Sequence, residues 1–343
     1  MKVLFINIKR NIIPIMFFIF MLCLIFFSKS NIQAVKSSLN IWINNVVPSL
    51  FPFFIATELL NHTNIPHYLG KMFNKIMRPF FNVPGVGAYA FFMGIISGYP
   101  IGAKIVTNFR DNSLCTKEEA ERLITFTNNS GPLFILGTIG VSLYYDTSIG
   151  LLLLLTHILA CISVGIIFRF WKLNKRLDRS NVETTSYISF NSLGEILSES
   201  IWSAIKSVVL IGGFVILFGI IISILNKIYF FNFVFMLLSP FFKFINIKSD
   251  FIIPIITGII ELTNGVTAVS SIASSNLGIN IIITAFLIGF GGISIMLQVL
   301  SIISKSDISI KPYIIGKLLH GIIAALYTWL ILTNFSYFNY LII

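Results

Sequence analysis

The sequence predicts an all-α polytopic membrane protein made of two inverted repeats, each with a re-entrant helical hairpin and a broken transmembrane helix. Composition is the first reason: of 343 residues, 56% are hydrophobic and 11% charged, far too apolar for a soluble domain of this length. The second is an internal duplication. Trp42, Pro79, Gly102, Gly131 and His157 recur as Trp202, Pro240, Gly265, Gly292 and His320, at offsets that stay between 160 and 163 residues along the chain. In a membrane protein, such a duplication points first to a transporter with its solute site between the halves. The third is charge. The net charge of +11 is distributed between apolar segments instead of lying on one basic face, which argues against a nucleic-acid partner and fits the positive-inside rule.

Residues 1–39 form an N-terminal transmembrane helix (about 11–28) and a loop. Its basic start and apolar run lack a small-residue cleavage site, so it reads as a retained helix and not a signal. Repeat 1 covers 40–171: a span at 40–60, an amphipathic helix at 66–82, a hairpin at 84–110, and spans at 120–142 and 149–171. The basic, then Ser/Thr/Asn-rich, segment 172–198 is a linker on the cytoplasmic surface. Repeat 2 covers 199–333, with a span at 201–225, an amphipathic helix at 229–246, a hairpin at 250–276, and spans at 281–303 and 312–333; a tail occupies 334–343. Each span has the ~20 residues that a bilayer crossing requires. The stretches 84–110 and 250–276 are also long, but Gly98-Tyr99-Pro100-Ile101-Gly102 and Thr263-Asn264-Gly265 interrupt them, as expected for two short helices meeting at a tip. Treated as hairpins, they leave most basic residues on one face, among them Arg78, Arg110, Arg169, Lys172, Arg176, Lys305, Lys311 and Lys317. Lys29, Lys36, Lys227, Lys243 and Lys248 fall on the other. Three crossings per repeat invert the second copy.

Irregular backbone inside a membrane is tolerated where protein buries it or where it lines a watery cavity, so the two tips are the candidate solute site. They contribute Gly98, Tyr99 and Gly102 from the first, and Glu261, Thr263, Asn264 and Gly265 from the second. Half-helix ends beyond Gly102 and Gly265 offer N–H groups and a positive dipole end suited to a carboxylate; the alternative is that these glycines only permit close helix packing. Pro132 and the Gly291-Gly292 pair should unwind the facing spans, which leaves Asn128, Asn129, Ser130, Ser294 and Gln298 either to orient a polar ligand or to tie helices together. Lys104 lies within a hairpin and either pairs with a solute carboxylate or snorkels to the surface. Glu261 carries a proton or accepts hydrogen bonds from a ligand. His157 and His320 read as interhelical hydrogen bonders, Glu58 and Lys206 as secondary candidates near segment ends, and Thr116-Lys117-Glu118-Glu119 as a capping box. Cys23, Cys115 and Cys161 are isolated, implying neither a disulfide nor zinc. Without a nucleophile–base pair, metal cluster or phosphate loop in the sequence, the expectation is no enzyme activity, no cofactor and no metal.

The order of elements resembles the core of concentrative nucleoside transporters and the gate, or nucleoside-recognition, domain family. More closely, Pro48-Ser49-Leu50-Phe51-Pro52-Phe53, Gly94 through Lys104, Thr127-Asn128-Asn129-Ser130-Gly131-Pro132 and Glu261-Leu262-Thr263-Asn264-Gly265 resemble the YlbJ family of sporulation integral membrane proteins, from about residue 40 onward. That resemblance implies a role in endospore formation: moving dipicolinic acid, an aromatic dicarboxylate made in the mother cell, across the outer forespore membrane. Related folds suggest a homo-oligomer embedded in the lipid bilayer. Nucleoside transporters carry Gln, Thr and Glu at the first tip, where this chain has Tyr99, Pro100 and Ile101. Glu261 matches the position where they use a Glu for ribose hydroxyls. The alternatives are a nucleoside or nucleobase carrier and a non-transporting structural or signalling protein of the spore envelope.

Overall fold

The computed structural model describes residues 2–172, 193–244, 248–273 and 277–334, and the described residues are helical without strands. Most of the 172–198 linker and nearly all of the 334–343 tail lie outside them. Among the described residues, five helices are long and apolar enough to cross a membrane: Ser28–Asn61, Thr147–Phe168, Leu193–Lys227, Leu277–Ile303 and Lys311–Asn334. Two of the seven expected spans differ. The segment 120–142 is interrupted by non-helical backbone, and Asn11–Phe26 is a shorter apolar run within α1 (Lys2–Phe26).

The expected span 40–60 is the second half of a longer rod formed by α2 (Ser28–Ile41), a π-helical turn (Trp42–Val46) and α3 (Val47–Asn61). The rod packs along α9 (Leu193–Lys227). Trp42 fixes the pairing: its indole N–H donates to the Val208 carbonyl at 3.0 Å, and its ring lies over Gly212, where a Cβ would meet Trp42 Cε2 at 2.5 Å.

Next come α4 (Ile65–Phe81) and two 11-residue helices packed on each other, α5 (Gly87–Ser97) and α6 (Ile101–Asp111). Helix α7 (Lys117–Thr127) starts at the expected capping box: Glu119 N–H donates to Thr116 Oγ1 at 3.1 Å, and Thr116 N–H to Glu119 Oε2 at 2.8 Å. After the break at 128–131 the chain resumes as a π-wound helix, Leu133–Leu143, and Asp146 then caps α8 (Thr147–Phe168).

The second half runs α9, α10 (Phe230–Phe244), α11 (Ile252–Ile260), α12 (Leu262–Ser270), α13 (Leu277–Phe290), α14 (Gly292–Ile303) and α15 (Lys311–Asn334). Helices α11 and α12 pack on each other as α5 and α6 do, but their break falls at Glu261 and not within Thr263-Asn264-Gly265. Between α13 and α14, Gly291 and Gly292 both have φ of 83°, a conformation that L side chains rarely adopt.

One apolar core joins α3 to α7 with parts of α9, α14 and α15; a second joins the π-wound helix and α8 to α11–α15. Outside the apolar segments, Arg110 makes a two-point pair with Asp307, both contacts at 2.8 Å; its hydrogen bonds hold the Asp307 carboxyl below the usual carboxylate range.

Candidate functional site

The turn between α5 and α6, the turn between α11 and α12, the break at Ser130-Gly131 and the start of α14 converge on one cavity, closed on its remaining side by the α2–α3 rod and α9. It holds about 790 Å³ of empty space, part of it continuous with the surroundings. Six of the residues singled out in the sequence line it: Tyr99, Ser130, Glu261, Thr263, Ser294 and Gln298. Three of their polar atoms, Tyr99 Oη, Ser130 Oγ and Gln298 Nε2, are buried and make no hydrogen bond of good geometry. Buried polar groups are ordinarily satisfied, so this concentration along one cavity wall is what a polar ligand would complete.

Glu261 caps α12. Its carboxylate accepts from Thr263 N–H at 3.1 Å, Asn264 N–H at 2.8 Å and Asn264 Nδ2 at 2.9 Å. The helix end expected to hold a solute carboxylate is therefore already occupied by the chain's own. The other end is similar: α6 begins at Ile101, Ile101 N–H donates to the Gly98 carbonyl at 3.1 Å, and Ala103 N–H donates to Asn128 Oδ1 at 3.3 Å.

Asn264 serves Glu261, and neither Gly102 nor Gly265 lines the cavity. A Cβ at Gly102 would collide with the Thr127 carbonyl, and one at Gly265 with Gly258 Cα, so close packing is what both positions require. Gly98, with φ of 77°, lies against Gly131, whose nitrogen a Cβ would meet at 3.0 Å. Asn128 and Asn129 are buried behind the cavity wall. Asn128 Nδ2 donates to Tyr313 Oη at 2.9 Å and Asn129 Nδ2 to the Phe126 carbonyl at 2.8 Å, whereas Asn129 Oδ1 has no partner.

Lys104 neither lines the cavity nor extends alone to the surface. Its ammonium is held by Glu58 on α3, by Ser203 Oγ at 2.6 Å and by Ser207 Oγ at 3.4 Å on α9. It joins the first helix pair to the rod and to the second half of the chain. Lys104→Met is therefore expected to lower folded abundance, because it leaves the largely buried Glu58 carboxylate without its counter-ion, at a cost of about 1–3 kcal/mol after allowing for partial exposure. Thermal unfolding of Lys104→Met and of Lys104→Met/Glu58→Gln checks this; the double variant should be the more stable of the two.

Sequence reasoning missed Asn45 and Ser49 on the cavity wall, two polar residues one turn apart on the α2–α3 rod. It also misplaced Lys317. Counted with the inner-face charges, this residue is fully buried on α15. The signal was its spacing: Lys317 and His320 stand three apart on an apolar helix and so share a face.

The gate family model, described as nucleoside recognition, matches residues 43–170. The sporulation integral membrane protein YlbJ of Bacillus subtilis (strain 168) is 34% identical over 318 residues, covering 88% of this chain and 78% of the relative. No solved structure matches the chain. With its long apolar helices and this extent of likeness, the chain belongs to the family of the sporulation integral membrane protein YlbJ.

Proposed function

We propose that this integral membrane protein is a transporter that carries dipicolinic acid out of the mother cell across the outer forespore membrane during endospore formation. The observation that carries the reading is the cavity, where the two helix-pair turns and both helix breaks meet and where the buried polar atoms of Tyr99, Ser130 and Gln298 lack hydrogen bonds of good geometry. These groups are suited to orienting an aromatic ring with polar substituents, Tyr99 by stacking and the others by hydrogen bonds. The proposal includes inverted repeats with re-entrant hairpins. In its support, the elements of the two halves follow the same order, and the equivalent residues His157 and His320 stack with ring centroids 4.4 Å apart. Alternating access is then a rocking of one half against the other around the cavity.

Two observations favour a nucleoside instead: among the described residues Glu261 is the charged group on the cavity wall and no Lys or Arg lines it, and the matching family model is described as nucleoside recognition. Uptake of labelled dipicolinate into proteoliposomes containing only this protein tests the proposal. Uptake above that of protein-free vesicles is expected. Uptake of labelled uridine with none of dipicolinate would establish the second reading, and uptake of neither would favour a structural role.

A further inference from the structure

We propose that Lys317, backed by His320 and His157, is a proton-binding site linked to the cavity through Tyr99 and Ser130, so that the transporter is driven by protons; the linkage rests on the transporter reading. Lys317 is fully buried. Its Nζ donates to the Asn128 carbonyl at 3.2 Å and to His320 Nδ1 at 3.4 Å, and stands 5.0 Å above the centre of the Tyr99 ring. The polar and titratable groups facing it are Tyr99 from the α5–α6 turn, Asn128 from the break after α7, His157 and Cys161 from α8, and Tyr313 and His320 from its own helix, while α13, which packs along α15, carries no charged or titratable side chain. None is a carboxylate. An ammonium held permanently at this depth with no counter-ion is costly, and such groups within membrane segments mark proton and ion paths.

The hydrogen bonds assign the imidazoles. His320 accepts from Lys317 at Nδ1, so its Nε2 carries hydrogen and donates to the His157 carbonyl at 3.0 Å. His157 accepts from Ser130 N–H at Nε2, at 3.3 Å, so its Nδ1 carries a hydrogen, and that atom is buried without a partner. His157 is thus neutral, and with Lys317 as the donor His320 is too, so that the full charge this cluster gains or loses is the proton on Lys317.

Two residues belong to the cluster and to the cavity at once. Tyr99 lines the cavity while covering Lys317, and Ser130 lines it while its backbone holds His157. A solute that shifts either residue changes the surroundings of Lys317, and by reciprocity the proton changes solute affinity. In the step itself one Nζ–H bond breaks, the electron pair stays on nitrogen, and the proton passes to water that reaches Lys317 when Tyr99 or Ser130 moves aside.

Two measurements test this. In proteoliposomes, an imposed pH gradient should change the initial rate of labelled dipicolinate uptake about fivefold or more in wild type, and not in Lys317→Met, whose residual uptake ignores the gradient. Equal gradient sensitivity in both would overturn the proposal. No dipicolinate uptake by wild type would instead count against the transport reading, and the second measurement then decides the inference alone. In the full chain labelled with 15N-lysine, the Nζ resonance absent from Lys317→Met should pass between its ammonium and amine positions over about pH 5 to 9. A resonance fixed at the ammonium position throughout would overturn the proton site whatever the solute.

Discussion

Gly102→Ala should abolish the folded protein, and Gly137→Ala should leave it intact. At Gly102 the new methyl group would run into the Thr127 carbonyl, with its carbon at 2.6 Å and Asn128 Cα at 2.8 Å. All of these are backbone atoms at the end of α7, and α7 is itself clamped between α6, α8 and α15. No side-chain rotation relieves the overlap, so the cost reaches or exceeds the ~3 kcal/mol at the upper end for overpacking. At Gly137 a Cβ meets nothing within 4 Å. Folded membrane yield and thermal unfolding, compared between the two variants, check this; similar stability in both would mean that α6 and α7 do not approach as described.

Glu261→Gln should weaken the cap of α12 and separate the two solute readings. Both carboxylate oxygens accept N–H groups, so an amide must turn one NH₂ towards backbone donors and lose roughly half of the cap, at about 1–2 kcal/mol. For a dianionic solute, removing a negative charge from the cavity wall should raise affinity about fivefold or more, the factor for ~1 kcal/mol of like-charge repulsion. For a nucleoside the same change removes an acceptor for hydroxyls and should lower affinity. Dipicolinate and uridine titrations of the purified variant against wild type give the sign directly.

The breaks in the helices were legible because Gly, Pro and Asn stand out inside apolar runs. Gly98-Tyr99-Pro100 and Asn128 through Gly131 interrupt helices where the sequence implied, and Gly291 does so because two successive left-handed residues suit only glycine. The break falls at Glu261, two to four residues before the expected Thr263-Asn264-Gly265, since a Glu followed by Thr263 and Asn264 is an N-cap as well as a buried charge. The pairing of Lys104 with Glu58 and Ser203 was not legible: the partners lie 46 and 99 residues away and meet only through packing of α6 against the rod and α9. Lys317 was misplaced for a related reason. The positive-inside rule counts a lysine near the start of an apolar helix as a surface charge, whereas α15 begins at Lys311 and packs its first turns against α7.

The central claim, that the cavity between the helix-pair turns is the solute site, is tested most directly by equilibrium binding of labelled dipicolinate to the purified full chain, in wild type and in Ser294→Trp. Ser294 lies on α14 and lines the cavity, so an indole there competes for the space a ligand would take. The account predicts saturable binding in wild type that is lost in Ser294→Trp while the melting temperature stays within a few degrees. Undiminished binding in a folded Ser294→Trp variant would place the solute elsewhere and contradict it.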